Sequence, residues 1–215
     1  MTSSFRFPDG TFFDEEYFER GADTGKSYYR DFRWMPRRSF REALAVIDAL
    51  GLDEKSHVLD VGCAKGFLVR ALKILDIRAE GCDISDYALR FSDGMAWKSA
   101  SMEAWEARKG RYTHAFLKDV LEHGYLEQIE ATLGAIALVA PVLMCVVPMG
   151  DRGTYRIPEY HKDKSHLTAE DEKWWRRTFN NAGWNVFREA EYIPGIKDNW
   201  RHHMDGNRVF FLERV

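Results

Sequence analysis

The stretch that most constrains this 215-residue chain is residues 58–69, Val-Leu-Asp-Val-Gly-Cys-Ala-Lys-Gly-Phe-Leu-Val. Residues 57–61 are mostly apolar apart from Asp60, and Gly62 and Gly66 bracket a short turn. Apolar residues then recur at helical spacing. The pattern predicts a buried strand, a tight turn and a helix. Because glycine has no Cβ and accepts positive φ, such a turn brings backbone N–H groups close to a ligand.

Two acidic residues narrow the class of ligand. The dinucleotide fingerprint requires G-x-G-x-x-G, and residues 62–66 lack its middle glycine. Asp60 ends the first strand, where a carboxylate would repel a pyrophosphate but suits an amino group. Asp83 ends the next predicted strand, where it can accept hydrogen bonds from ribose hydroxyls. These features fit S-adenosylmethionine (SAM) better than NAD.

Three segments, taken in order, resemble motifs of the Rossmann-like SAM-dependent methyltransferases. Residues 58–66 and 81–85 (Gly-Cys-Asp-Ile-Ser) are similar to the first two motifs of that family. Residues 116–123 (Phe-Leu-Lys-Asp-Val-Leu-Glu-His) are similar to its D-x-L-E-H motif. The resemblance implies an α/β fold with a doubly wound, mostly parallel seven-stranded sheet, helices on both faces and a C-terminal antiparallel hairpin.

The chain is expected to have two parts, an N-terminal arm or lid at residues 1–35 and the methyltransferase domain at residues 36–215. Aromatic side chains cluster in the first forty residues and again after Trp174. A short helix is expected at residues 14–20. This clustering fits a lid that folds over the cofactor, and it equally fits an arm that packs its aromatic side chains on the core.

Local signals mark the ends of several elements. Pro36 opens a helix that Gly51 closes, and Ser85 is expected to cap a short helix. Further along, Thr168 is expected to cap a helix, with Asp171 in a capping-box-like position. The continuous apolar run at residues 142–147 predicts a central parallel strand.

The resemblance implies how the cofactor would be held. The turn would offer its backbone to the methionine part of SAM, Asp60 would hold the amino end and Asp83 the ribose. Ser101 takes the approximate place of the family's acidic residue that meets the adenine amino group. The candidate cofactor-binding residues are Asp60, Gly62, Cys63, Ala64, Gly66, Phe67, Asp83, Ile84, Ser101, Met102, Lys118, Asp119 and Val120.

Methyl transfer needs alignment of the reacting atoms and, for a hydroxyl acceptor, a base. His123 is the first candidate, because the resemblance places the loop after the fourth strand against the sulfonium. Its alternative role is to cap or pack the start of the next helix. His166 is the second candidate, since residues 163–166 resemble the family's D-x-S/T-H segment. It too has an alternative, which is to hold the loop by hydrogen bonds.

Other residues are candidates for binding the acceptor or a metal. The acceptor-binding set is Tyr28, Tyr29, Arg37, Tyr155 and His161. Arg37 would bind a carboxylate or phosphate of the acceptor, an interpretation that rests on its charge alone. The spacing of His161, Asp163 and His166 is loose for a metal site, so no metal is predicted.

Composition limits the partners and the compartment. A formal charge of −3 and the lack of a basic stripe argue against nucleic acid as the main partner. No apolar run is long enough to span a bilayer, and residues 1–9 do not resemble a signal peptide. Three cysteines at or near predicted strands favour reduced thiols and a cytoplasmic location. A monomer or a homodimer is expected.

The function expected from these observations is methyl transfer from SAM to an oxygen or nitrogen of a small molecule, a sugar or a natural-product intermediate. Two alternatives stay open. One is a protein or RNA methyltransferase, which would need an open, charged face. The other is a binding module that keeps the fold without turnover.

Overall fold

A seven-stranded sheet forms the centre of the protein in the computed structural model, which describes residues 10–215. Residues 1–9 of the expected N-terminal arm lie outside the described residues. The strands are β1 (His57–Val61), β2 (Arg78–Asp83), β3 (Ala96–Lys98), β4 (His114–Lys118), β5 (Val142–Pro148), β6 (Gly150–Asp151), β7 (Thr154–Tyr155), β8 (Trp184–Ala190) and β9 (Asn207–Arg214). The short strands β6 and β7 pair with each other, apart from the main sheet.

The main sheet has the strand order β3-β2-β1-β4-β5-β9-β8. Its first five strands are parallel, while β9 is antiparallel to both β5 and β8. The predicted parallel sheet with a closing antiparallel hairpin is confirmed. The strand order reverses between β1 and β4, and in open α/β sheets ligands bind beyond the carboxyl ends of the strands at such a point.

Helices cover both faces of the sheet, as expected. They are α1 (Gly21–Thr24), α2 (Pro36–Leu50), α3 (Phe67–Ile74), α4 (Asp86–Leu89), α5 (Met102–Glu106), α6 (Leu126–Val139) and α7 (Glu172–Asn181). Shorter 3₁₀ turns lie at Gly10–Phe12, Leu121–His123, Pro158–Lys162 and Asp198–Trp200, and Glu16–Arg20 forms a π-helical turn.

Successive residues of a strand face opposite layers, and this alternation divides the core in two. Val58 of β1 belongs to a buried cluster under α2 and α3. Its neighbour Leu59 belongs to a second cluster that includes side chains of α5, α6 and α7. The alternation places the two helical layers on opposite faces of one sheet.

The helix ends follow local chemistry, with one correction. Pro36 begins α2, and Gly51 ends it in the left-handed region at φ 63°. The cap expected at Thr168 is wrong: Asp171 caps α7 by accepting a hydrogen bond from the Trp174 N–H at 2.8 Å. The Thr168 hydroxyl instead donates to the Gly124 carbonyl at 2.7 Å, so the side chain holds a loop together.

The three cysteines are free and buried. Cys63 lies in the cluster under α2 and α3, while Cys82 and Cys145 lie in the opposite one. Burial raises the pKa of each thiol well above its usual value. Among residues 10–215, no helix combines the length and the apolar character needed to cross a bilayer.

Candidate functional site

The glycine turn between β1 and α3 lies tightly against the residue that follows Asp119. Gly62 has φ 72°, and a Cβ added there would lie 2.3 Å from Cγ2 of Val120. Ala64 also has a positive φ, 49°, although it carries a side chain. The Ala64 N–H donates to Asp83 Oδ2 at 2.7 Å. The turn is therefore fixed against both the loop after β4 and the end of β2.

A pocket of about 870 Å³, counting its space open to solvent, lies beyond the carboxyl ends of β1, β2 and β4. The sequence-predicted residues that line it are Tyr29, Gly62, Ala64, Asp83, Ile84, Asp119, Val120 and His123. Sequence reasoning missed further lining residues, among them Phe13, Tyr17, Phe18, Ser99, Trp105 and Leu121. The pocket lies where the strand order reverses, the position that this class of fold uses for ligands.

Asp83 presents a fixed carboxylate to this pocket. Its Oδ1 accepts from the Ser85 N–H at 2.8 Å and its Oδ2 from the Ala64 N–H. Burial raises the pKa of Asp83, and the backbone donors oppose that shift. A carboxylate oxygen can accept two hydrogen bonds, so each oxygen keeps capacity for a ligand.

Several predicted cofactor residues lie away from the pocket. They are Asp60, Cys63, Gly66, Phe67, Ser101, Met102 and Lys118. Asp60 is buried, with its carboxyl pKa raised well above normal by burial and then by Glu42. Lys118 forms an ion pair with the same glutamate, Glu42. The side chains of Asp60, Glu42 and Lys118 therefore interact with one another outside the pocket.

The predicted adenine contact at Ser101 also changes. Ser101 is exposed and caps α5, accepting from the Ala104 N–H at 3.4 Å. Ser99 lines the pocket instead, with its N–H bonded to the Asp83 carbonyl at 2.9 Å. The indole of Trp105 donates to the Ser99 carbonyl at 3.2 Å, which fixes this edge of the pocket. Ser101 is therefore engaged as a helix cap, and Ser99 is the serine that lines the pocket.

Aromatic side chains of the N-terminal segment, residues 10–34, cover one side of the pocket. Tyr17 and Phe18 are each 4% exposed and line it. Lys65 of the glycine turn bonds Glu19 at 2.5 Å and the Phe32 carbonyl at 2.8 Å. The N-terminal segment is thus attached directly to the turn.

His123 belongs to a hydrogen-bonded chain of side chains. Its Nδ1 lies 2.8 Å from Ser165 Oγ, and that hydroxyl donates to Asp163 Oδ1 at 2.5 Å. Tyr17 donates to the other Asp163 oxygen at 2.8 Å. Because the Ser165 proton goes to Asp163, Nδ1 of His123 must donate to Ser165. A neutral His123 therefore carries its lone pair on Nε2.

The second predicted histidine lies beside the first. The ring centroids of His123 and His166 are 4.8 Å apart. Burial lowers the pKa of His123, and burial together with His123 lowers that of His166 to about 4. Both rings are neutral at pH 7.

Three further ionisable residues lie close to this histidine pair, and of these Asp119 lines the pocket. Glu122 is fully buried, and neither of its carboxylate oxygens has a hydrogen-bond partner among residues 10–215. Burial and then Asp119 raise its pKa well above normal. Asp119 pairs with Lys197, which holds the pKa of Asp119 down although burial opposes the shift. Lys197 also donates to Tyr160 at 2.8 Å and Asn207 at 2.7 Å.

Of the five predicted acceptor residues, the structure brings only Tyr29 to the pocket. Tyr28 is exposed, and Arg37 lines a separate cleft. The Tyr155 hydroxyl donates to the Thr168 carbonyl at 2.8 Å, inside a small cluster of its own. His161 is exposed and accepts from the Tyr155 N–H at 3.1 Å. These hydrogen bonds hold Tyr155 and His161 within their own loop, and neither residue lines the pocket.

Comparison with known proteins supports the fold. No family model matches the chain, and no curated protein matches it significantly. The chain is similar to magnesium protoporphyrin IX methyltransferase from Synechocystis PCC 6803 with bound SAM, at 16% identity and TM-score 0.59, covering 99% of this chain and 100% of that one. It is similar to 1,6-didemethyltoxoflavin-N1-methyltransferase from Burkholderia thailandensis, solved with S-adenosylhomocysteine, at 16% and 0.57, covering 82% and 78%.

A third similar structure is the complex between the Haloferax volcanii Trm112 methyltransferase activator and the putative methyltransferase. Its identity is 15% and its TM-score 0.63, covering 91% of this chain and 94% of that one. At these identities the likeness establishes the fold: this chain has the Rossmann-like fold of SAM-dependent methyltransferases.

Proposed function

We propose that the protein is a SAM-dependent methyltransferase that transfers a methyl group to an oxygen or nitrogen of a small molecule, a sugar or a natural-product intermediate. The observation that carries the proposal is a single pocket that is lined both by groups suited to the cofactor and by a candidate base. The glycine turn and Asp83 line one side of it, and His123 lines the other. The methyltransferases of similar fold, solved with SAM or S-adenosylhomocysteine, support the same cofactor.

The residues present fit SAM. The glycine turn at Gly62 and Ala64 lines the pocket, and Asp83 keeps free acceptor capacity for ribose hydroxyls. Ile84 and Trp105 offer apolar surface to an adenine ring. When bound, SAM supplies an electrophilic methyl group that passes to the acceptor while the electrons of the broken C–S bond stay on sulfur.

His123 is the proposed general base. Its Nε2 lone pair accepts the proton of an acceptor hydroxyl as the new bond to carbon forms. The Ser165–Asp163 pair holds the opposite ring nitrogen and stabilises the charged ring, because a carboxylate lies at the end of the chain of bonds. Burial and the neighbouring His123 lower the pKa of His166 to about 4, which makes His166 a poor proton acceptor at pH 7.

A small acceptor is supported by the covered pocket. Residues 10–34 lie over it with buried aromatic side chains, and we propose that this segment acts as a lid on the domain at residues 36–215. A protein or RNA acceptor would need an open, charged face, and the net charge is −3. The three buried, free cysteines support a cytoplasmic location.

Calorimetric titration of SAM, S-adenosylhomocysteine and NAD tests the cofactor. We expect micromolar affinity for both adenosyl ligands and binding at least about tenfold weaker in Asp83→Asn. Asp86→Asn is the matched control, because Asp86 is exposed and pairs with Lys98. Equal affinities in the two variants, or binding of NAD instead, would contradict the proposal.

Turnover is tested in a screen of hydroxyl and amine acceptors. We expect His123→Gln to keep cofactor affinity and lose about a hundredfold or more in rate. SAM binding with no turnover on any acceptor class would favour the non-catalytic module.

A further inference from the structure

Glu122 is the most unusual side chain in the described part of the chain. It is fully buried, and both of its carboxylate oxygens lie without a hydrogen-bond partner among residues 10–215. Buried carboxylates are normally paired, because taking a charge out of water is costly. Glu122 lies beside His123 and His166, and one ligand atom from each of the three residues lies within 4.8 Å of the others.

We infer that Glu122, His123 and His166 form a binding site for a divalent transition-metal ion, Mn²⁺, Fe²⁺, Co²⁺ or Zn²⁺. Two imidazoles and one carboxylate are a donor set that these ions use when some coordination positions stay open. Mg²⁺ and Ca²⁺ prefer oxygen donors and suit the site less well. Binding of the ion needs no methyl donor, so this inference goes beyond the proposed function.

The two histidines are prepared as metal ligands. Nδ1 of His123 is held by Ser165, and Asp163 holds Ser165 in turn, which leaves Nε2 as the coordinating nitrogen. Metal-bound histidines usually donate their other N–H in this way, because the bond fixes the ring and its tautomer. Nδ1 of His166 is buried and has no partner within the described range.

Backbone hydrogen bonds hold the two ligand-bearing segments together. The N–H groups of Leu167 and Thr168 both donate to the Glu122 carbonyl, at 2.8 and 3.1 Å. The segment carrying Glu122 and His123 is therefore tied to the residue that follows His166. Ligands at 2.0–2.2 Å from one ion lie roughly 3–3.6 Å apart, so side-chain rotation over about 1 Å closes the set.

Charge favours a cation at this place. Lys197 is paired with Asp119 and also acts electrostatically on Glu122, but no ion pair joins Lys197 to Glu122 among residues 10–215. A divalent ion would supply the missing positive charge. His123 also lines the main pocket, so an open coordination position would face it. Nε2 of His123 cannot coordinate the ion and accept a proton at the same time. In the metal-bound protein the ion would therefore replace His123 in activating the acceptor, by binding its oxygen and lowering its pKa, a role that rests on the proposed function.

The test is titration of the full chain, freed of metal with EDTA, with Co²⁺ followed by visible absorption and with Zn²⁺ and Mg²⁺ by calorimetry. We expect one equivalent of Co²⁺ at micromolar or tighter affinity, and Mg²⁺ at least about tenfold weaker. Glu122→Gln should weaken Co²⁺ binding at least about tenfold. Glu127→Gln, an exposed glutamate of α6, and His202→Gln, an exposed histidine, should leave it unchanged.

Thermal denaturation gives a second readout that does not depend on activity. Added Co²⁺ should raise the midpoint of the native chain and of both controls, and should leave that of Glu122→Gln unchanged. If Glu122→Gln fails to fold, His166→Gln takes its place. The inference is overturned if the native chain binds no stoichiometric Co²⁺, if Glu122→Gln binds equally well, or if His202→Gln abolishes binding. Cofactor titration in EDTA tests the proposed function separately.

Discussion

The glycine-turn side of the pocket (Gly62, Ala64 and Asp83) is formed mainly by backbone groups of two neighbouring segments. The histidine side is a cluster of ionisable side chains from distant parts of the chain (Asp119, Glu122, His123, His166 and Lys197). Asp119 and His123 line the pocket, and the other three are connected to those two. On the first side, backbone conformation fixes the geometry. On the second side, the geometry depends on how well the buried charges compensate one another, so single substitutions should act differently on the two sides.

The largest effect is expected from Lys197→Met. Lys197 is almost fully buried and pairs with Asp119, so its loss leaves a largely buried carboxylate uncompensated. Breaking such a pair costs about 4 kcal/mol of unfolding free energy. The Tyr160 hydroxyl also loses its donor, and Asn207 loses one of its two donors and keeps the Tyr160 hydroxyl. Urea denaturation monitored by tryptophan fluorescence measures the change.

Lys98→Met is the control for this substitution. Lys98 pairs with Asp86 at 2.6 Å, but both side chains are exposed, so the change should cost less than about 1 kcal/mol. Equal costs for the two variants would mean that the charges on the histidine side contribute no more than surface ion pairs.

Gly62→Ala perturbs the glycine-turn side and should lower the free energy of unfolding by about 2–3 kcal/mol. The substitution places a Cβ 2.3 Å from Val120 and forces a left-handed conformation on alanine. Gly94→Ala separates these causes, because Gly94 has the same φ of 72° and nothing within 4 Å of its Cβ. It should cost about 1 kcal/mol. If the two variants unfold at the same urea concentration, the close approach of Val120 has no energetic role.

The smallest effect is expected where the N-terminal segment meets the histidine side. Tyr17→Phe removes a buried 2.8 Å hydrogen bond to Asp163 and should cost about 1.5 kcal/mol. Tyr28→Phe lies on the same segment but is exposed, and it should change stability by less than about 0.5 kcal/mol. A Tyr17→Phe protein as stable as Tyr28→Phe would show that apolar contacts alone hold the segment.

The same contrast explains what the sequence could predict. A buried strand, a glycine turn and an acidic residue at the next strand end indicate where the pocket lies, and the resemblance carried by these segments implied the mostly parallel sheet. Gly62, Ala64 and Asp83 lie within one strand–helix–strand unit, and all three line the pocket. Ser101 does not line the pocket because it caps α5, a local role that motif spacing does not show.

The histidine side depends on contacts between distant segments. Lys197 lies in the loop between β8 and β9 and belongs to no motif, so nothing local indicated that it would reach Asp119. Glu122 did carry a signal, since it stands beside His123 in the D-x-L-E-H segment. Tyr155 and His161 do not line the pocket, because hydrogen bonds within their own loop hold them, which the sequence does not show.

The three buried cysteines are natural probes of local unfolding. A thiol with a raised pKa and no solvent access reacts with an alkylating reagent only when its surroundings open. Cys63 lies at the glycine turn, whereas Cys145 lies in the middle of the sheet on strand β5. The rates at which the two thiols are alkylated therefore report, without any inserted label, how often the ligand-binding edge opens relative to the whole molecule.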